Sequence, residues 1–119
     1  MGNFRELNVW QKSKSLVVDI YYLTNKETFK RDFSLKDQMR RSAVSIPSNI
    51  AEGDERNSNK ESIRFLYIAN GSVAELITQI TIAYEINYIT KKEYIALLKE
   101  LEDISKMIKS LINYRSKNI

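Results

Sequence analysis

Two glutamates, Glu52 and Glu75, are the side chains best placed in this sequence for acid–base or metal chemistry, because each falls inside a polar run at helical spacing. Arg41, Ser45, Asn49, Glu52 and Arg56 step by four, four, three and four residues, which aligns them on one helix face. A solvated face would carry Lys and Glu. Ser and Asn are mediocre helix formers that occur where their side chains bond something. Asn70, Gly71, Ser72, Glu75 and Gln79 form a matching set further along. One carboxylate from each set would make a pair for proton transfer or for a hard cation. The same residue types also build a structural polar network or a subunit interface. That is the preferred reading for Arg41, Ser45, Asn49, Glu52, Gly53, Arg56, Ser72 and Glu75.

Composition narrows the chemistry. The 119 residues include no cysteine and no histidine. Disulfides, thiolate nucleophiles and thiolate metal sites are therefore excluded, along with the commonest general base and the commonest metal ligand. The Glu-x-x-His pattern of di-iron bundles is impossible. The three glycines stand alone at positions 2, 53 and 71, so no phosphate-binding loop is present. The expectation is a protein that is not an enzyme and uses no cofactor and no metal.

Charge offers a different role. Nineteen basic residues against fifteen acidic ones give a net charge of +4. Between Lys106 and Ile119 stand Lys106, Lys109, Arg115 and Lys117 and no acid, a basic tail suited to an anionic partner or simply to a solvated terminus. Candidate nucleic-acid contacts are Lys36 and Arg40, then Arg56, Lys60 and Arg64, then Lys106, Lys109, Arg115 and Lys117 in the tail. Tyr67, Tyr88 and Tyr114 are candidate stacking surfaces, although tyrosines on bundle helices are more often packing residues.

These residues need a scaffold, and the apolar pattern predicts one. Four blocks repeat at helical spacing, over about 8–24, 34–53, 59–87 and 90–114. In the first, Trp10, Val17, Ile20 and Thr24 share a face. Ser34 is the expected N-cap of the second, whose stripe is Leu35, Met39, Ala43, Ile46, Ile50 and Gly53. Pro47 lies in that stripe and predicts a kink near Ala43. Ser58 and Glu61 open the third, with Leu66, Ala69, Val73, Leu76, Ile80 and Ala83 as its stripe and Asn87 as a left-handed C-cap. Thr90 and Glu93 open the fourth, where Tyr94, Leu97, Leu101, Ile104, Ile108 and Leu111 form a strict heptad seam. Residues 25–33 read as a loop. Small residues on the second helix (Ser42, Ala43, Ser45, Ser48) and the third (Ala69, Gly71, Ser72, Ala74) predict a close crossing. There Arg41, Asn49 and Glu52 would bond Ser72, Glu75 or a neighbouring subunit.

The predicted fold is a single all-α domain, an antiparallel up-down-up-down four-helix bundle. The start of the chain, Met1 to Trp10, is polar, and no stretch of 18 apolar residues occurs. The sequence therefore predicts a cytoplasmic protein with no membrane partner.

The string Gln38-Met39-Arg40-Arg41-Ser42-Ala43-Val44-Ser45-Ile46-Pro47-Ser48-Asn49-Ile50-Ala51-Glu52-Gly53-Asp54-Glu55-Arg56 resembles the signature of the 23S ribosomal RNA intervening-sequence proteins of bacteria. Val9-Trp10-Gln11-Lys12 is similar to that family's opening. Phe65-Leu66-Tyr67-Ile68-Ala69-Asn70-Gly71-Ser72-Val73-Ala74-Glu75-Leu76 is similar to its third-helix motif. Departures are Phe29-Lys30, where Phe-Pro is usual, and Asn87, where glycine is usual. The resemblance implies a four-helix bundle assembled as a ring-like homopentamer. The related accessory variability determinant proteins of diversity-generating retroelements are basic pentamers that associate with a reverse transcriptase and with nucleic acid. The motif positions carried over are Arg41, Ser45, Asn49, Glu52, Gly53, Arg56, Ser72 and Glu75. The functions implied are RNA or DNA binding by a homo-oligomer or, as the alternative, a protein-interaction scaffold such as a reverse transcriptase accessory.

Overall fold

Four long helices and two single 3-10 turns account for most of the chain in the computed structural model, which describes residues 2–118. Met1 and Ile119, at the ends of the polar N-terminal stretch and of the basic tail, lie outside the described residues. Helix α1 runs Asn8–Leu23, α2 Phe33–Asp54, α3 Asn59–Glu85 and α4 Lys91–Ser116, with 3-10 turns at Phe4–Glu6 and Glu27–Phe29.

Local chemistry sets the helix ends. Ser58 Oγ accepts from the Glu61 amide at 3.2 Å. Thr90 and Glu93 form a full capping box, with Glu93 N donating to Thr90 Oγ1 (3.1 Å) and Thr90 N to Glu93 Oε1 (2.8 Å). Asn87 takes a left-handed φ of 66°, and the Tyr88 amide reaches back to the Ala83 carbonyl at 2.8 Å, closing α3. The expected cap at Ser34 is replaced by Asp32, whose Oδ1 accepts from the Leu35 amide at 3.1 Å. The reason is the second carboxylate oxygen. Asp32 Oδ2 accepts from the Tyr88 hydroxyl at 2.9 Å, a link between elements that a serine hydroxyl at position 34 does not make. That bond raises the Tyr88 hydroxyl above the ordinary phenol pKa.

All six expected core positions on α2, and all six on α3, are buried. Two registers differ from expectation. On α1 the buried face is Val9, Ser13, Leu16, Ile20 and Thr24, with Trp10 and Val17 at its edge. Ser13 and Thr24 are tolerated inside because their hydroxyls donate to the Trp10 and Ile20 carbonyls at 3.0 and 2.7 Å. On α4 the seam follows Leu97, Leu101, Ile104 and Ile108 but then passes to Ile112, leaving Leu111 half-buried. A straight helix drifts about 20° per heptad from a 3.5 repeat, enough to move the inward position by one residue. The same drift carries Arg115 inward. Phe29, inside the expected loop, is fully buried and packs edge-on to Tyr88 at 5.1 Å. Pro47 is buried within α2, which continues past it to Asp54.

Contacts at the two ends fix the helix directions. At one end Asp54 and Ser62 meet Arg115, Asn59 bonds the Asn118 carbonyl at 3.2 Å, and Gly2 lies directly against Asp54. At the other, Lys26 meets Glu93 at 2.7 Å, Thr28 bonds the Tyr88 carbonyl at 2.6 Å, and Arg40 grips the end of α1. Consecutive helices therefore run antiparallel in a bundle measuring 46 × 21 × 20 Å. Among the described residues α3 is long and apolar enough to cross a membrane by length and composition, although polar residues interrupt its apolar run. Its apolar stripe is spent inside the bundle, between α2 and α4.

Candidate nucleic-acid interface

The polar stripe of α2 is a bonded face, as its residue types suggest. Asn49 Nδ2 donates to the Ser45 carbonyl and to Ser45 Oγ at 2.8 and 2.9 Å. Ser72 Oγ, from α3, bonds Ser45 Oγ at 2.8 Å. The outer members pair locally, Arg41 with Asp37 at 4.0 Å along α2 and Arg56, just past the helix end, with Glu52 at 3.1 Å. Glu75 is exposed on α3 and is not the partner of Arg41, so the intrachain pairing expected between them does not form. Glu52 and Glu75 are both exposed, Glu52 bonded to Arg56, and among the described residues no group of three or more acidic side chains is placed to hold a metal.

Helices α2 and α3 meet where the small-residue pattern suggested, with Ser42, Ala43, Ala69 and Ser72 buried and Ser72 bonded to Ser45, but Gly71 takes no part in that contact and a second tight point lies at Gly53. Gly71 faces open space, with nothing within 4 Å of where a side chain would begin. Gly53 is tight, since a Cβ there would lie 2.9 Å from Phe65 Cβ and 3.1 Å from the Ser62 carbonyl oxygen. The first turn of α3 rests on Gly53, and Asp54, the next residue, is buried beside it.

Arg115 leaves the set of candidate nucleic-acid contacts. It is 9% exposed, its Nη2 donates to Asp54 Oδ1 at 2.6 Å, and its Nη1 donates to Ser62 Oγ. Asp54 is 4% exposed, and its Oδ2 has no hydrogen-bond partner among the described residues. The basic tail therefore presents Lys106, Lys109 and Lys117, while Arg115 locks the end of the bundle.

Lys36, Arg40 and Arg41 come together at the opposite end of α2. They line an open basin of about 570 Å³ with Tyr21, Phe33, Asp37, Val44 and Ser45. Phe33 is 72% exposed, and Lys36 Nζ stands 5.8 Å from its ring centre. Arg40 is fixed in place: its Nε donates to Thr24 Oγ1 at 2.9 Å, its Nη2 to Asn25 Oδ1 at 3.1 Å, and its guanidinium stacks 4.4 Å over Tyr21. Three cations face one carboxylate, Asp37. Phe33 and Tyr21 place aromatic surface among these charges, with Phe33 largely exposed and Tyr21 stacked against Arg40. Such a surface can hold an anion beside a stacked planar group.

The remaining candidates lie elsewhere. Arg56 and Arg64 flank the Phe65 ring at 4.5 and 5.8 Å, and each meets a carboxylate, Glu52 at 3.1 Å and Glu61 at 3.9 Å. Exposed Glu55 and Lys60 add one charge of each sign, so that corner is charge-balanced. Lys106 and Lys109 are exposed on α4, and Lys117 is exposed just past its end. Of the candidate stacking tyrosines, Tyr67 and Tyr114 are exposed, whereas Tyr88 is tied to Asp32. Reasoning from sequence missed Phe33 and Tyr21. The signal for Phe33 was an aromatic at the first position of a helix whose next turn carries Lys36, obscured by placing the cap at Ser34.

Fold and site together define a four-helix bundle with a cationic, aromatic-lined basin on its outer face. The chain belongs to the 23S rRNA-intervening sequence protein family, whose model matches residues 5–110. It is similar to a protein of unknown function from the S23 ribosomal protein family of Bacteroides thetaiotaomicron, solved by crystallography. The two share 28% identity over 87% of this chain and 97% of that one, with a TM-score of 0.82. No curated protein matches the chain.

Proposed function

We propose that this chain is a non-enzymatic, oligomeric binding protein of the cytoplasm that takes RNA or another nucleic acid on the basin between α1 and α2. The observation that carries this is the juxtaposition of Phe33 and Tyr21 with Lys36, Arg40 and Arg41. Phosphates meet the cations while an unpaired base lies on the exposed Phe33 ring. Arg40, already anchored to Thr24 and Asn25, loses little freedom when it meets a phosphate. Family membership agrees with an RNA connection in name, and the assembly implied by resemblance, a homopentamer, would repeat a weak site around a ring and gain by multivalency. Light scattering checks the assembly; a monomer at working concentration removes the multivalent step.

The direct test is fluorescence anisotropy of a labelled single-stranded RNA across a salt series. Affinity falls steeply with salt. Phe33→Ala weakens binding about ten-fold, the loss of one stacked base, while leaving the melting temperature nearly unchanged. Arg41→Ala reduces the salt slope by about one. Absence of binding at low salt, or indifference to Phe33→Ala, overturns the proposal.

A further inference from the structure

The basin on α2 holds one side chain that phosphate binding does not use. Asp37 lines it among Lys36, Arg40 and Arg41. A carboxylate there weakens the pull of the three cations on a phosphate. The other acid beside Phe33, Asp32, is occupied by the Leu35 amide and the Tyr88 hydroxyl. Asp37 is not occupied in that way. Its one ion pair among the described residues, with Arg41, is stretched to 4.0 Å, beyond hydrogen-bond reach. Its side chain is 48% exposed, so its oxygens are open to a donor on a ligand.

Helix geometry brings this carboxylate to the exposed ring. Phe33 and Asp37 are four residues apart on α2, neighbours on its surface. Helical side chains lean towards the N-terminus, which carries Asp37 over the turn of Phe33. Lys36, three residues from Phe33, holds its Nζ 5.8 Å from the ring centre. A planar base stacked on Phe33 therefore meets an ammonium donor and a two-oxygen acceptor along its edge. The four bases answer that pair differently. Guanine presents O6, N1–H and N2–H in a row, an acceptor followed by two parallel donors. Uracil has one donor between two acceptors. Adenine and cytosine place a ring-nitrogen acceptor where the carboxylate needs a donor, and lone pairs facing a carboxylate repel it.

We infer that the basin selects guanine in single-stranded nucleic acid, with the base stacked on Phe33, Asp37 accepting from its N1–H and N2–H, and Lys36 donating to its O6. The inference rests on the basin being the nucleic-acid site and adds the base that is read there.

The test is fluorescence anisotropy, at low salt, of the full chain with labelled uridine nonamers whose central residue is guanosine, inosine, adenosine, cytidine or uridine. The guanosine oligomer binds about ten-fold more tightly than the adenosine, cytidine and uridine ones, the discrimination of one bidentate base contact. Inosine, which lacks the N2 amine, falls between. Asp37→Asn erases the preference, because a carboxamide offers one acceptor and one donor group and pairs with any of the four edges. The same variant tightens binding of the uridine oligomer, since a negative charge has left the basin, and its melting temperature is nearly unchanged. Equal affinity for the guanosine and adenosine oligomers, both weakened by Phe33→Ala, overturns the inference and leaves the proposed function in place. A guanosine preference that survives in Asp37→Asn also overturns it, since the base is then read elsewhere. Absence of binding by every oligomer overturns both the inference and the function on which it rests.

Discussion

Helix α2 treats positive charge in opposite ways at its two ends. At its C-terminal end the Arg115 guanidinium is withdrawn from water and matched to Asp54 and Ser62. At its N-terminal end Lys36, Arg40 and Arg41 stand around an open basin with one carboxylate among them. In the sequence both ends read the same, as arginines and lysines near polar residues. What separates them is the phase of the core stripes. Asp54 follows Ile50 by four residues and Arg115 follows Ile112 by three, so both lie on inward-facing positions. Arg41 and Val44 lie on the outward side of α2, where nothing in the bundle covers them. A cation on the core side of a helix is a structural part. A cation on the open side, beside an exposed ring, is available to a ligand.

The comparison breaks most directly at the closed end. Arg115→Met strands the Asp54 carboxylate in the interior and lowers stability by about 3–5 kcal/mol, read as a shift in the urea midpoint. Adding Asp54→Leu to the same chain regains most of that loss, because an apolar pair needs no desolvation of charge. On the proposed function, RNA affinity of the folded variant stays as in the parent. A loss below about 1 kcal/mol for Arg115→Met would place this arginine with the exposed cations and erase the contrast.

Glycine sharpens the contrast at the next level. Gly53→Ala forces a methyl group against Phe65 and the Ser62 backbone and lowers stability by about 1–3 kcal/mol. Gly71→Ala meets open space on a helix interior and raises stability by about 0.5–1 kcal/mol. Thermal melts of the two variants should move in opposite directions. Movement in the same direction would mean that Gly53 is not packed tightly against the start of α3.

Much of this architecture is legible in the residues. Periodicity alone locates the four helices, and the stripes of α2 and α3 fall on the buried positions because every residue in them is apolar or glycine. The same rule fails on α1, where buried Ser13 satisfies its own hydroxyl and so never registers as core. It fails at the end of α4, where a strict heptad keeps Leu111 inside and leaves Arg115 in the tail, whereas the straight helix turns Ile112 and Arg115 inward. The bonding of Ser45, Asn49 and Ser72 follows from their types. The basin does not, because it depends on Phe33 of α2 and Tyr21 of α1, which adjoin only after the chain has turned through Phe29. Small residues locate the crossing through Ala43, Ser45, Ala69 and Ser72, but Ser48, Gly71 and Ala74 point outward, because smallness in a sequence does not say which way a residue faces.

The seam between α1 and α4 is intermediate between the closed and the open end, and its titration separates the two kinds of charge. Glu100 is half-buried there. Burial raises its pKa, Asp19 and Asp103 raise it further, and Lys12 opposes them only in part. The folded chain thus holds this proton at a pH where the unfolded chain has already released it. Stability falls as pH rises from the ordinary glutamate value through the raised one, and the repulsion is complete at neutral pH. Glu93, at the Lys26 contact, behaves oppositely. Burial pushes its pKa up, but the hydrogen bonds from Lys26 and the Thr90 backbone outweigh burial and leave it lowered. Its contribution is present above the ordinary glutamate value and is lost as pH falls through the lowered one. Glu100→Gln therefore stabilises the chain at neutral pH and Glu93→Gln destabilises it, each by no more than about 0.5 kcal/mol after screening by water, read as melting temperatures that move in opposite directions. Below about pH 3.5, under the ordinary glutamate value, the gain from Glu100→Gln disappears. A gain that persists unchanged in acid would mean that a glutamine side chain simply packs better there than Glu100 does, and that charge is not what loosens the seam.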